Sequence, residues 1–282
     1  MREALRSLLP TIIIFFIFIV IVISLSFLWG YYNNNHYPYN SNSFYNFDFL
    51  QNLLINLNAS IVDFLVLGVI IIFFERRREH TSKQNSLIDD LKDYASYSSE
   101  EINLKKAGLL KRLNQSSVKS LNIQRIIITS TSIKDIKFIS GNISGSSFEK
   151  SKMRKVYLKN MILKSVNFNE SNLDGCHFKN CNMYNVKMKD ASAIGIQLNE
   201  SSLINVQFNN SNLKGCDLRN CDLKNVNFED ANLSRANILG AKNISIDALV
   251  KGENLDYIIA EDHVLEEIKK KRPESVHQTR RL

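Results

Sequence analysis

Between Ile123 and Ile238 every fifth residue is apolar: 24 positions run without an insertion, 23 of them Leu, Ile, Met or Phe and one, Ala193, smaller. Neither a helix of period 3.6 nor a strand of period 2 keeps a five-residue beat on one side. Two residues before each centre, 22 of the 24 positions hold Gly, Ala, Ser, Thr, Cys, Val or Ile, and only Leu121 and Met161 are larger. The places between are mostly Asn, Asp, Lys, Ser, Glu and Gly. A backbone that turns a corner every five residues closes a square coil of 20, and repeated coils stack as parallel strand ladders whose backbone groups can all pair. The centres and their smaller partners then fill a narrow bore.

Stacking predicts that residues 20 apart resemble each other, and they do. One centre column reads Ile128, Phe148, Phe168, Met188, Phe208, Phe228, with Val166, Val186, Val206 and Val226 in the partner column beside it. Asn185, Asn205 and Asn225 recur at one corner, and Gly175, Gly195 and Gly215 at another, where residues tolerant of positive φ are expected. "SVNFNESNLDGCHFKNC" returns 40 residues on as "NVQFNNSNLKGCDLRNC". Six coils at about 4.8 Å each predict a column about 29 Å tall. The coils before residue 160 are less regular, with Ile136 and Gly141 at partner positions.

"NFNESNLDGCHF", "QFNNSNLKGCDL" and "NFEDANLSRANI" resemble the pentapeptide-repeat family, whose motif is A(D/N)LXX. The resemblance covers about 120 of the 282 residues and implies a mainly β fold, a right-handed quadrilateral parallel β-helix. "GAKNISIDALVKGENLDYIIA" resembles the helical cap that closes such rods, and a cap is needed because an end coil exposes unpaired strands.

The chain opens differently. Residues 1–74 hold only two Lys or Arg and three Asp or Glu. Residues 11–29 carry no charge and are close to the roughly 20 residues that a spanning helix needs; a cleaved signal peptide is the alternative, without a small-x-small cleavage site. A second apolar run covers residues 54–74. Arg2 and Arg6 precede the first run, Arg76, Arg77 and Arg78 follow the second, and residues 30–53 contain no Lys or Arg. The positive-inside bias therefore predicts a transmembrane hairpin with both termini cytoplasmic, as in the bacterial inner membrane. The Tyr- and Asn-rich stretch between the runs suits an outer interfacial belt.

Asp63 lies 11 residues before Phe74, near mid-bilayer in an upright helix. It reads either as a partner or ion contact or as an outer headgroup residue beside Asn56 and Asn58. The Arg triplet at residues 76–78 reads as a topology signal or a lipid-headgroup contact.

Residues 75–120 predict short amphipathic helices, one through Leu87, Ile88, Leu91 and Tyr94, the next through Ile102, Leu109, Leu110 and Leu113. Ser98 and Glu101 have capping-box spacing for the second helix. The resulting domains are a hairpin at 1–74, juxtamembrane helices at 75–120, the β-helix at 121–240, and a cap with a basic tail at 241–282.

Catalytic chemistry has no visible basis: no nucleophile is spaced beside His177 or His263, and no phosphate-cradling Gly loop occurs. The four Cys all stand two residues before a centre, read as core packing with reduced thiols; no Cys-x-x-Cys supports zinc. No cofactor or metal is expected. The resemblance extends to quinolone-resistance members of that family that mimic duplex DNA and bind gyrase, which would imply the same role here, but residues 121–240 hold 16 basic and 10 acidic residues, and a basic column cannot imitate phosphate.

"EKSKMRKVYLKN" gathers Lys150, Lys152, Arg154, Lys155 and Lys159, a candidate interaction cluster or a merely solvated face. Anionic membrane or protein contact ranks above nucleic acid, since only Tyr157 interleaves the cluster. The reading is a membrane-tethered scaffold presenting a rigid rod to a cytoplasmic protein partner, itself unidentified. Alternatives are a sensor or channel whose hairpin oligomerises, and a nucleic-acid-binding rod.

Overall fold

The computed structural model describes residues 13–28 and 47–275, and divides into two compact units, Met1–Thr81 and Ser82–Leu282. Arg2, Arg6, most of the inter-run loop and the end of the basic tail lie outside the described residues.

In the first unit, helix α1 (Ile13–Leu28) packs antiparallel on α2 (Phe47–Asp93). The Phe64 ring centroid lies 6.3 Å from that of Phe15 and 5.5 Å from that of Phe18, while Asn58 Nδ2 donates to Ser26 Oγ at 2.9 Å. Around α2, Ile55, Val62, Val66, Val69, Phe73 and Phe74 are exposed apolar side chains. Among the described residues, α2 alone is long and apolar enough to cross a membrane, and α1 falls short of that length.

The helix does not stop at the Arg triplet. Instead of a separate amphipathic helix through Leu87 and Tyr94, α2 continues unbroken to Asp93, because no Gly or Pro interrupts good helix formers after Phe74. Helix α3 (Glu100–Gln115) starts one residue later than the capping-box reading placed it. Ser99, not Ser98, is the N-cap and accepts from the Ile102 amide at 3.2 Å.

The rest of the second unit is a β-solenoid. Strands β1 (Ser120–Asn122), β3 (Ser140–Asn142) and β5 (Met161–Ile162) form one parallel sheet, and β2 (Ser132–Phe138), β4 (Lys152–Lys159) and β6 (His177–Lys179) another. Every pairing between these strands advances by 20 residues, as in Ser132↔Lys152 and Tyr157↔His177. Continuous strands occupy the first three layers, and pairing then persists as single parallel bridges, for example Ile127↔Ser147↔Asn167↔Lys187↔Gln207↔Asn227.

All 24 centres are at least nine-tenths buried. Rings stack along the bore, Phe148 on Phe168 at 5.4 Å and Phe208 on Phe228 at 5.7 Å, with Met188 between the pairs in the column. Small partners also bond between layers: Ser151 Oγ donates to Ile128 O at 2.7 Å, Ser201 Oγ to Phe178 O at 2.8 Å, and Cys221 Sγ to Leu198 O at 3.1 Å. Cys176, Cys181 and Cys221 thus occupy a Ser-like donor position rather than being mere apolar filler.

Corners need left-handed backbone, supplied by Gly175 and Gly195 but also by Lys150, Lys155, Asn185 and Asp190. Asn side chains offset part of this strain by bonding up the corner, Asn205 Nδ2 to Asn185 Oδ1 at 2.9 Å and Asn225 Nδ2 to Asn205 Oδ1 at 3.1 Å. The residue before a centre is often Asn or Asp because its side-chain Oδ1 accepts from the amide two residues on, as Asn167 does from Asn169 at 3.0 Å and Asn227 from Glu229 at 2.9 Å.

At both ends of the ladder, side chains bond to backbone groups of the outermost turns. On the first turn, α3 places Asn114 across the edge of β2, Nδ2 donating to Asp135 O at 3.2 Å and Oδ1 accepting from Lys137 N at 2.8 Å. Lys106, fully buried, donates to Tyr97 O at 2.7 Å and to Ile127 O. Beyond Ile238 the step lengthens to 22, giving Asn232↔Asn254 and Asn237↔Ile259, with helix α4 (Ile246–Leu249) in the added length. Helix α5 (Asp262–Lys271) buries Val264, Leu265 and Ile268, and Arg272 donates to Gly252 O and Glu253 O.

Candidate interaction surface

With the bore filled, outward chemistry belongs to residues beside the centres and at the corners. Strand β4 carries most of the basic cluster. Lys152 stands beside Ser132 below and Asn172 above, and Arg154 beside Lys134. Lys155 is the left-handed residue that bends the strand, so Tyr157 and Lys159 project from its far side. Lys150 is separate: it occupies the preceding corner and lies 3.5 Å from Glu170.

The register brings in residues that local sequence did not. Lys137 sits beneath Tyr157, His177 above it, and Lys179 above Lys159. Tyr157 and His177 stack at 4.4 Å and 24°. The signal was available as arithmetic, because each of these residues is 20 away from one already in the cluster.

Higher on the same side, charges are matched. Lys179 Nζ lies 3.0 Å from Glu200, and Arg219 grips the largely buried Asp217 through Nε at 2.9 Å and Nη2 at 2.6 Å. Burial pushes the Asp217 carboxyl up, but the hydrogen bonds and charge of Arg219 outweigh it and hold the group below its ordinary range. The thiols are inert. Burial pushes Cys176 up to about 12, Cys181 to about 11 and Cys221 to about 12, and raises Cys216 further.

The other sequence-derived positions lie elsewhere. Phe148, Phe168, Phe208 and Phe228 line the bore. Asp63 is exposed on α2 beside Phe64, and Arg76, Arg77 and Arg78 are exposed farther along that helix.

Residues 151–228 and 171–246 match the family profile described as "Pentapeptide repeat region". No curated relative matches the chain. Among solved structures, trypsin-treated QnrB1, a plasmid-mediated fluoroquinolone resistance protein, is 15% identical over 56% of this chain and 96% of its own, with a TM-score of 0.37. A pentapeptide repeat protein of the Arabidopsis thaliana thylakoid lumen is 20% identical over 36% of this chain and 67% of its own, at 0.26. HetL, involved in heterocyst differentiation regulation in the cyanobacterium Nostoc, is 16% identical over 55% and 93%, at 0.17. Within its solenoid, this chain carries a pentapeptide-repeat region, residues 151–246.

Proposed function

We propose that the chain is a non-enzymatic, membrane-anchored interaction rod. The filled bore carries this reading: the 24 centres are buried, the thiols are sunk and protonated, and only outward side chains are left to meet a partner. A paired backbone makes that outer surface rigid, so it binds without reordering.

Residues 11–29 and 54–74 would be two spans with both termini cytoplasmic, supported by the exposed apolar surface of α2 and by Lys and Arg being confined to the flanks of the two runs. The described α1 is short for a span, and the run extends beyond it at both ends. Helices α3 and α5 would close the two ends of the solenoid. A fluoroquinolone-resistance role like that of QnrB1 does not come with the fold, because the net charge of residues 121–240 is positive.

Two measurements test the reading. The protein should stay with membranes on alkaline carbonate extraction, and photo-crosslinking side chains placed in turn at Tyr157, Asn182, Gln207 and Asn212, one on each side of the coil, should yield a protein adduct from at least one side. Release into the supernatant overturns the anchor. Adducts from no side overturn the rod.

A further inference from the structure

Net positive charge on the solenoid is concentrated at one bend, where β2 and β4 hold six Lys or Arg and one acid, while the rest of residues 121–240 is nearly balanced. Lys134, Lys137, Lys152, Arg154, Lys155 and Lys159 are exposed on β2 and β4, and among the described residues none has an ion-pair partner. The one acid on these two strands is Asp135. Higher on the side that carries Tyr157 and Lys159 the charges are matched, Lys179 by Glu200 and Arg219 by Asp217. Like charges on adjoining rungs about 4.8 Å apart repel, so Lys134 beside Arg154 costs stability unless a ligand supplies the counter-charge.

Shape narrows the ligand. The left-handed Asp135 and Lys155 bend both strands, leaving Lys152 and Arg154 on one side and Tyr157 and Lys159 on the next. A flat bilayer meets one side of such a bend at a time. Single-stranded nucleic acid needs a series of aromatic platforms, and here there is one stack, Tyr157 on His177 at 4.4 Å. An extended polypeptide can follow the bend and set a carboxylate against each cation.

We propose that the bend formed by β2 and β4 is a docking site for an acidic polypeptide segment, with the stack of Tyr157 on His177 receiving one apolar side chain of that segment. The inference rests on the interaction-rod reading and gives it a location and a partner chemistry.

The test uses the full chain in phosphatidylcholine nanodiscs and a fluorescein-labelled, Glu-rich peptide of about a dozen residues with one central Leu, enough to cover one bend at about 3.3 Å per residue. Fluorescence anisotropy at low salt should show binding, weakened about tenfold or more by Lys152→Glu, Arg154→Glu and Lys155→Glu together. Tyr157→Ser should weaken it about threefold without changing its salt dependence, since the lost contact is uncharged. Lys214→Glu with Lys224→Glu, on other parts of the rod, should leave it unchanged. These substitutions are exposed, and an unaltered circular dichroism spectrum checks the fold.

Equal binding by the charge-reversed protein overturns this site but not the rod reading, since the contact then lies on another side. Peptide binding that vanishes in phosphatidylglycerol discs assigns the bend to lipid and overturns the proposal. So does a duplex oligonucleotide that binds more tightly than the peptide and is lost with the same reversal.

Discussion

A Cβ built on Gly141 falls 2.0 Å from the carbonyl oxygen of Leu121, its neighbour one layer down. Gly141 also has a φ of 142°, which side chains rarely adopt. The absence of a side chain there lets the large Leu121 and Met161 share one partner column.

Gly141→Ala should therefore lower solenoid stability by about 2 to 4 kcal/mol, combining backbone overlap with strain. Gly195→Ala, at a φ of 65° with no atom near the new methyl, should cost about 1 kcal/mol. Thermal melts followed by the β signal in circular dichroism separate the two. Equal losses would show that the overlap relaxes.

Phe208→Ala removes a ring stacked on Phe228 at 4° and leaves a void that a paired backbone cannot collapse to fill. The expected loss is about 3 to 5 kcal/mol, and Phe208→Leu should recover more than half of it. The melting temperatures of the two variants give the comparison.

The thiols make a pH prediction. An ordinary Cys ionises near 9.0, whereas burial holds Cys176 and Cys221 protonated to about 12. Above pH 9 the unfolded chain sheds protons that the folded chain keeps, so this contribution is whole below pH 9 and is lost as pH rises toward 12. A thiol reagent at pH 8 should label none of the four Cys in native protein and all four in denaturant. Rapid native labelling would contradict their burial.

Lys106 titrates with the opposite sign. Burial pulls its amine from 10.5 down to about 8, so between those values the unfolded chain holds more protons and stability rises with pH. Lys106→Met removes that rise but strands the carbonyls of Tyr97 and Ile127, costing about 1 to 3 kcal/mol at pH 7. Melts of both proteins at pH 7, 8 and 9 show whether the slope below pH 9 belongs to Lys106.

In the corner column, Asn205→Gly keeps the left-handed backbone and loses two ladder bonds, whereas Asn205→Ala loses the bonds and gains strain. Gly should be milder than Ala by about 1 kcal/mol in the same melts. The reverse order would mean that the corner conformation is not restrictive.

The bore was legible because stacking imposes one arithmetic on every turn, so Phe168 and Phe228 declare their layer from number alone. The Asn205 ladder followed from the same count. The role of Asn167 and Asn227 is not legible in the same way, since an acceptor aimed at the amide two residues later leaves no mark beyond a preference for Asn or Asp.

The ends were harder to read. Lys106 and Asn103 fall on the apolar stripe of α3 with Ile102 and Leu109, yet a polar residue on such a stripe announces only an anomaly, not which carbonyl it will find. The basic bend was half visible: Arg154, Lys155 and Lys159 adjoin in sequence, while Lys134 and Lys137 join them only through the register. The junction at Ser98 and Ser99 shows the limit of local rules, because both can cap and the contact of Ser98 with Thr129 helps decide between them.

The lengthened step between Asn232 and Asn254 has a consequence for how such a rod can change size. A turn that must lie on the one before it takes up surplus length only where the extra residues leave the ladder, as they do around α4, after which Asn254 and Ile259 fall back into step five residues apart. Such a rod can therefore gain length in complete turns, or as an excursion from one turn that leaves the rungs on either side of it in place.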